Sequence, residues 1–269
     1  MVIFSVFNLI IKKSKNLADV EKHFAPIIKI AREILKKEKP DVLLVNGTYY
    51  IPWILSIAAK KEKIPVVLWY AGVLSKEVEY MTPHFQKLFQ EMERSIVRRA
   101  SRIIFPSHTC KDVVMSSVLR TKVVQEGIVI PNPISDAFTR ADHIEQSVER
   151  TMAFVGRYTQ IKNLEAFCDL HKRLLKRGWK HQATIVSNIH HKKDLKKIPA
   201  SINVVPSMSA ADIKTFYSSQ GLIVSPSHFE TFGNVPIEAV CLGIPALVHK
   251  NMGCSGVLTD SGLERMVVD

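Results

Sequence analysis

The sequence predicts an α/β protein with two parallel-sheet domains, and three observations carry that expectation. Short apolar runs bounded by Gly, Pro or Asn alternate with stretches of helical period along most of the chain. A proline-rich break, Pro131-Asn132-Pro133, falls near the midpoint. The stretch from Leu222 to Val248 reads as strand, loop, helix, strand, a unit that presents functional groups in the loop beyond a strand's carboxyl end.

Taken in order, Val2 to Ile10 reads as a buried strand, with a shallow membrane anchor as the alternative. It is too short to span a bilayer, which needs ~20 residues, and lacks the basic start and cleavage site of a signal peptide. Leu17 to Lys37 has helical spacing at Val20, Phe24, Ile27, Ala31 and Ile34 or Leu35, and Lys39-Pro40 ends it. Asp41 to Val45 is a strand closed by Asn46-Gly47, Ile51 to Lys61 a helix, and Pro65 to Trp69 the next strand. Tyr70 to Pro83 is irregular. Phe85, Leu88, Phe89, Met92, Ile96 and Val97 mark another helix, with His84 at its start. Arg102 to Phe105, Val123-Val124 and Ile128 to Ile130 are strand candidates, and His108 to about Val118 a helix.

Proline stiffens Pro131-Asn132-Pro133 and denies it sheet pairing, so this is the clearest linker. The expected organisation is a first domain over 1–134, a polar join over 135–150 and a second domain over 151–269. In the second half, strands are expected at Met152 to Val155, Ala183 to Val186, Ile202 to Val205, Leu222 to Val224 and Ala246 to Val248. Helices are expected from Lys162 to about Arg177, from Ser209 to Ser218, and after Asn234, which reads as an N-cap with Pro236 in the first turn.

Chemistry concentrates in two places. Gly156-Arg157 follows a strand and Lys162 begins the next helix; a guanidinium fork and an ammonium beside a helix N-terminus suit a diphosphate. Glu230 lies in the loop after Leu222 to Val224, and Glu238 about one turn into the following helix, so both can border one crevice. The N–H groups around Gly233, Asn234 and Val235 would face an anion and the helix dipole would favour it. Carboxylates for hydroxyls beside donors for phosphate suit a sugar nucleotide. Taken singly, each of these side chains is an ordinary solvated charge; the combination points to a site.

Ser225-Pro226-Ser227, Glu230-Thr231-Phe232-Gly233 and Glu238-Ala239, with Phe154-Val155-Gly156-Arg157 and Lys162-Asn163 upstream, resemble the signature of family 4 retaining glycosyltransferases. The resemblance runs from about Pro40 onward and implies a GT-B-like fold, two Rossmann-like domains facing a cleft. It implies transfer of a sugar from a nucleotide diphosphate donor to an acceptor hydroxyl with retention. The donor would be held by Gly156, Arg157, Lys162, Glu230, Phe232, Gly233, Asn234, Val235 and Glu238. Arg157, Lys162 and Glu230 would be catalytic, Glu230 holding sugar hydroxyls and Glu238 the ribose. No cofactor and no metal are required, because cationic side chains meet the phosphate charge.

Relatives carry a histidine near the place where Tyr70 and Ala71 stand here, and a glycine-bearing turn where Ser187-Asn188 follows the strand. They also open with a strand and glycine-rich loop and close with further helices. The chain is therefore expected to be a shortened form of the fold, incomplete in its first domain.

Cys110, Cys168, Cys241 and Cys254 form no metal or redox spacing and read as reduced residues in a cytosolic setting. His190-His191-Lys192-Lys193 reads as a solvated basic face. The formal charge of +12 fits phosphorylated substrates, an anionic membrane or nucleic acid. Nucleic acid is disfavoured, since no binding motif appears and no aromatics interleave with the basic run. The expected partners are a nucleotide sugar and a glycan or lipid acceptor, with the protein cytoplasmic and, where the charge serves an anionic membrane surface, peripheral at that membrane's cytoplasmic face. The remaining reading is an inactive sugar-nucleotide-binding remnant.

Overall fold

The structure, a computed structural model, describes residue 10 and residues 12–119, 127–139 and 150–269. These form two compact units that meet between Pro131 and Asn132.

The first unit alternates helix and strand. Helix α1 (Leu17–Glu38) begins at Asn16, whose side chain accepts from the Asp19 N–H, and ends at Lys39 in the left-handed conformation. Strand β1 (Leu43–Asn46) leads to α2 (Tyr50–Lys61), β2 (Val66–Trp69), the short α3 (Leu74–Glu77) and α4 (Pro83–Arg99). Strand β3 (Arg102–Phe105) is followed by α5 (His108–Val113), which continues as a π-helical turn over Val114–Leu119, and β4 (Gly127–Val129) closes the unit. The sheet runs β1-β2-β3-β4, all parallel.

The apolar stripes place the core, with one correction in α1. Its buried face is Val20, Phe24, Ile28, Ala31 and Leu35, so Leu35 rather than Ile34 turns inward, whereas Ile27, expected inside, is 43% exposed. The pattern admits either neighbour at Ile27-Ile28; packing against α2 selects Ile28. Phe24 meets Trp53 of α2 edge-on at 6.3 Å, and Phe89 of α4 stacks on Tyr49 at 5.5 Å. Glu93 lies on the same face of α4 as Phe89 and Ile96 and is fully buried. Of the strand expected from Val2 to Ile10, only Ile10 is described, and it is helical. The expected strand at Val123-Val124 lies outside the described residues.

The second unit starts with a helical turn, α6 (Asp136–Thr139), inside the stretch expected to be a polar join. Phe138 explains the difference: it is buried and packs against Tyr217 at 6.1 Å. Then follow β5 (Thr151–Val155), α7 (Leu164–Lys176), β6 (Gln182–Val186), α8 (Lys192–Leu195), β7 (Ile202–Val205) and α9 (Ala210–Ser218). The unit continues through β8 (Leu222–Ser225), α10 (Asn234–Cys241), β9 (Ala246–His249), α11 (Cys254–Asp260) and β10 (Val267–Val268). All paired strands are parallel, in the order β10-β9-β8-β5-β6-β7.

That order positions the site. From β5 the chain winds outward through β6 and β7, then returns to the other side of β5 for β8 and continues through β9 and β10. Between β5 and β8 the winding reverses, and the connections that leave them lead toward opposite edges of the sheet. Such a switch point is where open α/β sheets bind ligands. Gly156-Arg157 leaves β5 at this point, and Pro226 to Gly233 leaves β8.

Candidate functional site at the strand switch of the second sheet

After β5, Gly156 N–H donates to Val186 O at 3.1 Å, so the chain follows the sheet one residue further before Arg157 turns out to solvent. Lys162 falls in a 3-10 turn, Gln160–Lys162, rather than at the start of α7. The reason is Asn163: its left-handed backbone (φ 52°) breaks the turn, and its side chain accepts from the Ala166 N–H to cap α7. The stem of Lys162 runs back over the loop, its Cδ 3.9 Å from where a Gly156 Cβ would sit.

The loop after β8 is tied to this turn. His228 N–H donates to Ile161 O at 2.9 Å, which brings Glu230 to Lys162. Lys162 Nζ lies 2.8 Å from Glu230 Oε2, and Ser227 Oγ donates to Glu230 Oε1 at 2.7 Å. The two side chains of the ion pair are 20% and 17% exposed, so the pair is sheltered but reachable from solvent. Gly253 N–H donates to Glu230 O, and Cys254 N–H to Phe232 O at 2.6 Å, anchoring the loop to the start of α11.

Helix α10 starts one residue earlier than an Asn234 cap requires. Gly233 is the cap, at φ 101°, and Asn234 is the first helical residue. Only glycine suits this position: a Cβ would meet Met252 Cε at 2.8 Å and Cys254 Sγ at 3.1 Å. Asn234 Oδ1 instead accepts from Asn132 Nδ2 at 3.1 Å. The first N–H groups of a helix have no intrahelical acceptor, so those of Asn234 and Val235 remain open for an anion. The Phe232 side chain is buried in the core, which leaves its backbone as the part a ligand can reach.

Glu238 has a different partner. Tyr217 O–H donates to Glu238 Oε2 at 3.2 Å, and burial raises the Glu238 carboxyl above the ordinary range, the hydrogen bond opposing. Burial and the Glu238 carboxylate together raise the Tyr217 phenol well above its ordinary value, so it stays a donor. Burial, aided by Glu230, pushes the Cys254 thiol up to about 12, which rules it out as a thiolate at neutral pH. The structure thus joins Lys162 to Glu230 and places Arg157 exposed on the neighbouring loop, paired with no described carboxylate. No group of three or more potential metal ligands occurs among the described residues.

Two arrangements escaped the sequence. In the first unit, Glu93 accepts from Tyr70 O–H at 2.8 Å, Leu74 N–H at 2.7 Å and Ser75 N–H at 2.8 Å, fixing the loop after β2. Its signal was a carboxylate four residues after Phe89, on the apolar stripe. In the second, His171 Nδ1 meets His181 Nε2 at 2.9 Å and His171 Nε2 meets Ser201 Oγ at 2.8 Å; burial lowers the His171 pKa. Sequence spacing carries no signal for that chain.

The chain is 23% identical to the capsular polysaccharide biosynthesis glycosyltransferase CapM of Staphylococcus aureus over 82% of its length and 61% of that protein's. It is 21% identical to the alpha-monoglucosyldiacylglycerol synthase of Streptococcus pneumoniae over 86% of its length and 56% of that protein's. It therefore spans a little over half the length of these relatives. Among solved structures, a sucrose-phosphate synthase from Thermosynechococcus elongatus superposes with a TM-score of 0.67 at 17% identity, over 88% of this chain and 63% of that one. The fold is of the GT-B kind. The glycosyltransferase family 4 profile matches residues 11–138, and the profile of glycosyl transferases group 1 matches residues 135–269. With its second half matched throughout and the strand switch furnished as described, the chain belongs to the glycosyl transferases group 1 family.

Proposed function

We propose that the protein transfers a sugar from a nucleotide diphosphate donor to an acceptor hydroxyl, with retention of configuration, in glycan, lipid or polysaccharide synthesis. The observation that carries this reading is the Lys162–Glu230 pair beside the open N-terminus of α10 at the β5–β8 switch point. Departure of the nucleotide diphosphate leaves positive charge on the sugar and negative charge on phosphate. Arg157 and Lys162 would meet that negative charge as it develops, together with the Asn234 and Val235 N–H groups. Glu230, oriented by Ser227, would accept from sugar hydroxyls; Glu238 Oε1 would accept from the ribose while Oε2 stays with Tyr217. The leaving phosphate takes the acceptor proton, so no separate base is invoked, and the side chains supply the positive charge without a metal.

Isothermal titration with nucleoside diphosphates tests the phosphate assignment. Arg157→Ala and Lys162→Ala should each weaken binding by roughly 1.5–3 kcal/mol, the contribution of a charged hydrogen bond. Unchanged affinity in both variants removes the assignment. Proton NMR of the product's anomeric signal then separates retention from inversion.

A membrane-bound acceptor is favoured by the surface of α1. Ile27, Ile30 and Ile34 are exposed at helical spacing, and Lys36 and Lys37 continue that helix. The reading is of a cytoplasmic enzyme that docks reversibly on an anionic bilayer. No described helix is long and apolar enough to cross one.

A further inference from the structure

A cleft of about 270 Å³ lies between α7 and α8, and neither Lys162 nor Glu230 lines it. Its lining combines three kinds of group. Leu164, Cys168 and Ile198 make an apolar floor, and Tyr158 stands at one side. Two ion pairs edge it: Lys172 Nζ to Asp169 Oδ1 at 3.3 Å and Lys197 Nζ to Asp194 Oδ1 at 3.1 Å. Glu165 completes the lining. Asp194 is buried, and it also accepts from the Tyr158 hydroxyl, so this corner is held by three elements: the loop after β5, α8 and the turn that follows it.

The charges decide what chemistry fits. Three carboxylates outnumber two ammonium groups, which disfavours a phosphate or other anion. Asp169 and Asp194 are committed to lysines, and no three potential ligands converge on one point among the described residues, which disfavours a metal ion. Each ion pair instead offers an acceptor and a donor about 3 Å apart. Neighbouring hydroxyls of a pyranose have that spacing, one donating to the carboxylate while the other accepts from the ammonium. The apolar floor and the Tyr158 ring suit the C–H face of the sugar. The volume, just below the ~300–1,000 Å³ of drug-sized sites, suits one ring rather than a long chain.

We propose that this cleft is a saccharide-binding site, separate from the donor site, that holds a single neutral hexose unit of a carbohydrate through the Lys172–Asp169 and Lys197–Asp194 pairs and the Tyr158 ring. The proposal does not depend on the transfer reaction. It places a second point of carbohydrate contact on the same unit.

Two-dimensional amide NMR of the intact protein, with nucleoside diphosphate present in excess to fill the donor site, tests it. Glucose, galactose, mannose and N-acetylglucosamine are titrated to tens of millimolar, and spermidine serves as the cationic control. At least one sugar is expected to shift the amides of Tyr158, Cys168 and Lys172. Asp169→Ala and Lys172→Ala, both on the solvent side of α7, should each weaken that sugar tenfold or more while leaving nucleoside diphosphate affinity unchanged. Absence of shifts at the cleft with every sugar overturns the proposal. So does a response to spermidine alone, or a sugar response that survives both substitutions.

Discussion

Glu230 and Glu238 sit eight positions apart in sequence, yet their surroundings differ. Glu230 is bound by a cation and a hydroxyl and keeps an accessible edge, whereas Glu238 is bound by a buried phenol. Glu230→Gln keeps the Ser227 contact but removes the charge beside Lys162, and should mainly reduce turnover or sugar discrimination. Glu238→Gln should mainly weaken the plain nucleotide, since it disturbs the acceptor proposed for the ribose. Titration with nucleotide sugar and with nucleotide alone separates the two. Equal loss of the plain nucleotide in both variants defeats the division of roles. Glu93 yields a prediction of another kind. Burial raises its carboxyl, with the Tyr70, Ser75 and Leu74 hydrogen bonds opposing. The folded state therefore holds this proton more tightly than the unfolded chain, whose carboxyl ionises near 4.5. Stability contributed by the protonated form is complete below that value and is lost as pH rises through the folded pKa. Urea unfolding from pH 4 to 8 should show the wild type losing stability relative to Glu93→Gln across that window, and a constant difference would count against it.

At the scale of elements, most of the fold was legible because helical period, strand alternation and end signals agree with one another. Arg102–Phe105 and Ile202–Val205 match their expected spans at both ends, and Ser209 caps α9 as its position suggests. The departures share a physical cause, which is that a local pattern does not contain its tertiary neighbour. Ile27 and Ile28 are equivalent to a period count; only α2 distinguishes them. Lys162 reads as a helix start until the left-handed Asn163 separates turn from helix. Asn234 has the chemistry of a cap, but the approach of Met252 and Cys254 demands a residue without a Cβ one step earlier. That loops follow β5 and β8 was legible in the sequence, whereas the Tyr217 contact of Glu238 and the Ser227 contact of Glu230 depend on packing. Gly233→Ala tests this element-level constraint. A left-handed backbone and a 2.8 Å approach to Met252 Cε should together destabilise the second unit by about 1–3 kcal/mol. Chemical denaturation followed by tryptophan fluorescence reads it through Trp179, the one tryptophan of that unit. An unshifted midpoint would mean that the loop relaxes freely.

For the whole molecule the governing quantity is charge. Eight lysines of the first half, at positions 12, 13, 15, 36, 37, 60, 61 and 63, are exposed, against a net formal charge of +12. Solubility alone would account for such a surface. It would not account for Ile27, Ile30 and Ile34, which face solvent on a helix whose opposite side is fully occupied by the core. An apolar stripe with lysines beside it matches the interface of an anionic bilayer, where each basic residue near the surface contributes ~1 kcal/mol and salt screens the attraction. Sedimentation with vesicles should therefore show binding to phosphatidylglycerol-containing lipid at low salt, little to phosphatidylcholine, and release as salt is raised. The two parts of the surface should separate by substitution. Lys36→Ala with Lys37→Ala should lower binding at low salt and flatten its salt dependence. Ile30→Ser with Ile34→Ser should weaken binding while leaving the salt dependence, because insertion of the side chains is not screened. Equal pelleting with neutral and anionic vesicles, or none with either, removes the membrane from the account and leaves the basic surface to solubility.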